Sequence, residues 1–154
     1  MPGMPDLQHI PRGPGTYMLV LHLPEPRRLA VGRLGEFQFP AGYYMYAGSA
    51  QGGLRGRVSR HLRAGKKRHW HIDYLNSPDT GAAVTEVWWQ VGQRRLECEW
   101  AAAALAQPGA STPAPGFGAS DCGCSSHLLR VDRKPDPAGM GRQAAISTAK
   151  VGGL

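Results

Sequence analysis

Cysteine is scarce in this chain, and acid is missing where base is most abundant. Three cysteines in 154 residues are an odd number and make no disulfide framework. No stretch approaches the roughly 20 apolar residues that a membrane span needs. The first residues lack a basic segment followed by an apolar run, so no secretory leader is expected and the cytoplasm is the expected compartment. No internal repeat occurs. From residue 37 to residue 72 there is no carboxylate at all, while Arg55, Arg57, Arg60, Arg63, Lys66, Lys67 and Arg68 crowd the second half of that interval. Exposed helices ordinarily mix signs, so this run reads as a surface for an anion rather than as a solvated face.

What is present fits one compact domain with a real core. Twenty-one glycines and 13 prolines point to many turns. The formal charge of +7 suggests an anionic partner without naming it. Residues 42–62 organise the rest. Tyr43 to Tyr46 is aromatic, short and bounded by Gly42 and Gly48, as a buried strand would be. Leu54, Val58 and Leu62 then repeat in steps of four, a helical stripe that Gly52-Gly53 opens and Gly65 closes. Arg57 and His61 share a neighbouring face. A strand ending in Ala47-Gly48-Ser49 thus feeds a helix carrying an arginine and a histidine, which reads as a corner for handling phosphate.

Around this corner, 15–23 is apolar nearly throughout and reads as a central strand. A short strand at 29–32 is expected to return beside it, and the Tyr43 strand to pair with it antiparallel. A short helix is expected within 69–75, a third main strand within 82–91, and an alanine-rich helix over 95–107 stopped by Pro108-Gly109. Residues 126–131 read as an edge strand. The expected organisation is a flexible lead-in at 1–14, a folded domain at 15–132, and a disordered tail at 133–154.

Gly15-Thr16-Tyr17, then Tyr46-Ala47-Gly48, then Arg57-Val58-Ser59-Arg60-His61-Leu62, taken in that order, resemble the GIY-YIG endonuclease superfamily. Stretches 43–50, 69–75, 97–99 and 116–128 are similar to its small stand-alone Uri-type branch. Thr16 and Ala47 stand where the superfamily has isoleucines, at positions expected to face the core. The resemblance covers about 15–131 and implies an α/β (α+β) fold, with a small, mainly antiparallel sheet of three main strands flanked by helices. It implies a divalent-metal-dependent endonuclease that hydrolyses nucleic-acid phosphodiesters, with DNA favoured over RNA, in repair or on particular DNA structures. No membrane and no protein partner are implied. The runner-up is a nucleic-acid-binding module that keeps the fold without turnover.

Carried over residue by residue, the resemblance makes Tyr17 and Tyr46 the paired tyrosines, with Tyr17 the base. Arg57 and His61 are the helix pair, and Glu97 is the ligand of Mg²⁺ or Mn²⁺. Glu99, two residues on, points to another face. A hard carboxylate oxygen suits such an ion, and a guanidinium can fork onto two phosphate oxygens. Gly48, Ser49, Arg55, Arg60, Lys66, Lys67, Arg68, His69 and His71 are the expected substrate contacts. Trp70, Ile72 and Leu75 read as core. Cys122-x-Cys124-x-x-His127, with Cys98 as a fourth, has the residue types of a structural Zn²⁺ site. Its Cys-x-Cys spacing is tight and Cys98 lies far upstream, so packing cysteines are the preferred reading there.

Overall fold

A computed structural model describes residues 7–119, 122–140 and 146–151. Strand β1 (Gly15–Leu23) is its axis, with eight of nine residues buried, as a strand covered on both faces should be. It lies antiparallel between β4 (Gly42–Ala50) and β5 (Ala83–Val91), with Tyr17 opposite Gly48 on one side and Trp89 on the other. The expected pairing of the Tyr17 and Tyr43 strands is therefore present.

The sheet has five strands, not the three expected. β6 (Leu128–Val131) pairs with β4 and β7 (Ser147–Lys150) with β5, giving the antiparallel order β6-β4-β1-β5-β7. β7 corrects the reading of 133–154 as a disordered tail in its described part, 133–140 and 146–151; the remainder of that segment lies outside the described residues. Its sequence, Ser-Thr-Ala-Lys, carries no apolar alternation because it is recruited by backbone pairing along the open edge of β5. Pro137–Met140 also forms a 3₁₀ turn, which buries Met140.

The lead-in is corrected in its described part. Leu7–His9 form a 3₁₀ turn, Ile10 is buried, and the Pro11 and Gly13 carbonyls accept the N–H groups of Arg55 and Leu54. Those donors start helix α1 (Leu54–Leu62), whose N-cap Gly53 has no side chain to satisfy them.

Strands β2 (Arg27–Val31) and β3 (Gly35–Phe39) form a separate hairpin. The expected return of 29–32 beside β1 does not occur, because β4 and β5 already occupy both edges of β1.

Helices cover both faces. α1, α2 (His71–Leu75) and the hairpin pack over Leu19, Leu21 and Tyr44. α3 (Glu97–Leu105) packs over Met18, Val20 and Trp88 through Trp100, Ala101 and Ala104. On α1 the buried positions are Leu54, Val58 and His61, with Leu62 only partly covered. The histidine therefore takes the inner place expected for a leucine. Among the described residues no helix is long and apolar enough to cross a membrane.

Candidate functional site

Where β1 and β4 meet the first turn of α3, an open cleft of about 350 Å³ is lined by Tyr17, Tyr46, Gly48, Ser49, Arg57 and Glu97. Residues far apart in the chain converge here because Tyr17 and Gly48 are cross-strand partners. Alternation along the strands sends Tyr17 and Tyr46 to the α1 face.

The Tyr17 hydroxyl is hydrogen-bonded to His61 Nε2 at 2.7 Å. Burial pushes the Tyr17 phenol up to about 12, with Arg57 pulling partly the other way. Burial likewise pushes His61 down to about 3. Both groups therefore rest neutral at ordinary pH. His61 Nδ1 is buried without a hydrogen-bond partner among the described residues. Tyr46 is also held well above the usual tyrosine range, first by burial and then by Tyr17. A Cβ on residue 48 would collide with the Tyr17 hydroxyl, so Gly48 is required by the phenol beneath it before any ligand is considered.

Arg57 donates to the Ser49 carbonyl at 3.0 Å, and its guanidinium lies 4.5 Å from the centre of the Trp70 ring. The Ser49 hydroxyl donates to the Glu97 carboxylate across the cleft floor. Buried Thr16 holds this end of α3, its hydroxyl accepting the Leu96 N–H at 3.0 Å. Thr16 and Ala47 are both fully buried, as their expected core-facing positions require. Glu99 is paired with Arg94 on a different surface, leaving Glu97 as the carboxylate of the cleft among the described residues. Trp70 and Arg95 also line it. Trp70 reads from sequence as core, and Arg95 carries no signal beyond its place two residues before Glu97.

Most of the basic run lies elsewhere. Arg60 makes a two-pronged ion pair with buried Asp73, at 3.0 and 2.8 Å, while stacking on Trp70. Burial pushes the Asp73 carboxyl up, but the Arg60 contact and the backbone N–H groups of Trp70 and His69 outweigh it and hold it below the usual range. Arg55 is tied to the Ile10 carbonyl, Lys66 to those of Arg63 and Asn76, and Arg68 to Asp79. The acids missing from the local sequence thus arrive from α2 and the turn after it. His71 Nδ1 accepts the Gly118 N–H at 2.8 Å, fastening a loop to α2, and the ring of exposed His69 packs on Trp70. Lys67 is exposed, away from the cleft.

Beside Glu97, the ligand atoms of Cys98, Cys122, Cys124 and His127 all lie within 4.8 Å of one another. Four such donors could hold one metal ion. Cys122 and His127 also form part of the cleft wall. Ser120 and Asp121, in the same loop, lie outside the described residues.

Fold and site together define an α+β domain with a polar cleft at one end of an antiparallel sheet. The chain belongs to the family described as "Domain of unknown function DUF123", whose model matches residues 16–148. Comparison with curated proteins finds no match, and comparison with solved structures finds none either.

Proposed function

We propose that the cleft is the active site of a GIY-YIG-like, Uri-type endonuclease that hydrolyses nucleic-acid phosphodiesters, DNA in preference to RNA, with a divalent metal ion. The observation that carries this reading is the convergence of Tyr17, Tyr46, Arg57 and Glu97 on one open cleft. Two phenols, a guanidinium and a carboxylate supply the proton handling, phosphate charge neutralisation and hard-ion binding that phosphodiester hydrolysis needs.

The donor set fits Mg²⁺ or Mn²⁺. Glu97 offers carboxylate oxygen with the Ser49 hydroxyl beside it, in a cleft open enough to keep water on the ion. Bound there, such an ion supplies Lewis-acid charge stabilisation and lowers the pKa of nearby groups. Arg57, lying over the Trp70 ring and oriented by the Ser49 carbonyl, presents its remaining N–H groups to phosphate oxygens. Tyr17 holds the attacking water, and its proton path runs to His61 Nε2. Tyr46, against Tyr17 at 6.5 Å between ring centres, closes the apolar side. With Arg60 committed to buried Asp73, contact with the backbone centres on Arg57 and Arg95 at the cleft.

A binding module without turnover remains the second reading, favoured by the Tyr17 phenol's rise to about 12, which makes it a weak base unaided. A nicking assay on a panel of damaged, branched and single-stranded DNA, with and without Mg²⁺, separates the two. Metal-dependent cleavage is expected. Arg57→Ala should reduce it about 10²- to 10³-fold, by analogy with other preorganised donors. Glu97→Gln should abolish it while sparing binding. Cleavage that survives both substitutions refutes the assignment.

A further inference from the structure

The connection from 106 to 127 is long for a compact domain. Such loops without regular structure are uncommon unless something ties them down. Ser111 bridges to Arg130 on β6, the Gly118 N–H reaches His71 on α2, and Ala114 and Phe117 are buried in the core. These ties stop short of the far end of the loop, where a further set of groups sits. Cys122 and Cys124 approach Cys98, in the first turn of α3, and His127, whose carbonyl accepts the Ala47 N–H at 3.0 Å. His127 Nε2 lies 3.3 Å from Cys122 Sγ and 3.7 Å from Cys98 Sγ. Donors around a tetrahedral Zn²⁺ are spaced at about 3.5–3.8 Å, given Zn–S near 2.3 Å and Zn–N near 2.0–2.1 Å.

We propose that Cys98, Cys122, Cys124 and His127 bind one structural Zn²⁺ ion, which clamps the 116–127 loop to the first turn of α3 and so fixes the cleft wall beside Glu97. Three sulfurs and one imidazole nitrogen are the donor set of a closed zinc site, soft enough to exclude Mg²⁺ and complete without water. Binding takes up the ion and releases the three thiol protons to solvent. This departs from the sequence preference for packing cysteines, because the fold places all four donor atoms within 4.8 Å of one another. Cys98, far upstream in sequence, is brought to the loop by the fold. The ion is distinct from the one proposed at Glu97, which needs oxygen donors and open positions.

The site is tested without nucleic acid, so its outcome is independent of cleavage. Protein purified without a histidine tag or added metal should carry one zinc per chain by elemental mass spectrometry. After zinc removal, titration with Co²⁺ should saturate at one equivalent, with thiolate charge-transfer bands and the visible bands of tetrahedral cobalt. Cys124→Ser and His127→Ala should each bind Co²⁺ at least about 100-fold more weakly, since even outer-shell partners are worth 10–100-fold. Should either variant fail to fold, the wild-type cobalt spectrum decides. Zinc removal should speed amide exchange across 116–127 while leaving β1 unchanged. Octahedral cobalt, no stoichiometric uptake, a disulfide consuming two of the three thiols, or unchanged exchange in the loop each overturns the proposal.

Discussion

On the α3 side of the sheet, Met18, Val20, Met45, Ala47 and Trp88 meet Trp100, Ala101 and Ala104. On the α1/α2 side, Tyr17, Tyr44 and Tyr46 share the interior with His61, while Asp73 and Asn76 are buried at the same level. The first side is held by apolar area, and Glu86 at its margin is anchored by the Trp88 indole. The second must give nearly every buried polar group a partner. Asp73 takes Arg60 and two backbone N–H groups, and Asn76 donates to the His61 carbonyl at 2.6 Å. An unpaired buried polar group costs roughly 1–3 kcal/mol, so this polar side is expensive unless complete. The cleft opens at the rim of that side, where groups are already oriented for charge chemistry. The dry side supplies the rigidity, and α3 carries Glu97 from it to the rim.

The sharpest way to separate the two sides is to damage each. Trp88→Ala removes the largest fully buried side chain and should cost about 3–5 kcal/mol by denaturant unfolding. On the polar side, Asp73→Asn leaves the Arg60 guanidinium without its counter-charge. It should cost about 3 kcal/mol, the lower end for a broken buried pair, because Arg60 keeps some water access. The exposed Arg28–Glu36 pair is the control, and Arg28→Ala should change stability by less than about 1 kcal/mol. Equal losses at Asp73 and Arg28 would erase the contrast.

A pH slope gives a further test. The folded pKa of His61, about 3, lies below its ordinary 6.5, so between these values the unfolded chain binds a proton that the folded chain refuses. His61 therefore contributes stability fully above pH 6.5 and loses it as pH falls toward 3, by at most about 1.4 kcal/mol per pH unit. Burial also lowers His71 and His127, so the readout is the difference between wild type and His61→Gln from pH 7 to pH 5. A wild type no steeper than the variant in that window contradicts the assignment.

Much of the frame was legible locally. The run at 15–23 reads as central because both its faces are apolar, and β1 is central. The step-of-four stripe gives α1 within its observed bounds, and the alanine-rich stretch gives α3 with frayed ends. Glu97 and Glu99 stand on different faces, as helical spacing requires, and Glu97, the one the resemblance singles out, lines the cleft. The errors share one cause. β7 has no apolar alternation, and β2 pairs with β3 because of what already flanks β1. The basic run looked free because Asp73 and Asp79, its partners, lie outside it.

The sequence by itself determined the central strands β1, β4 and β5 and the helices α1 and α3, because periodicity, glycine positions and charge are local properties of the chain. Only the tertiary structure decided which cations remain available and that Cys98 stands beside Cys122, Cys124 and His127. It also decided that the Tyr17 phenol rests neutral against a neutral imidazole. Each of these depends on burial or on pairing between distant segments, and both are set by packing rather than by order along the chain.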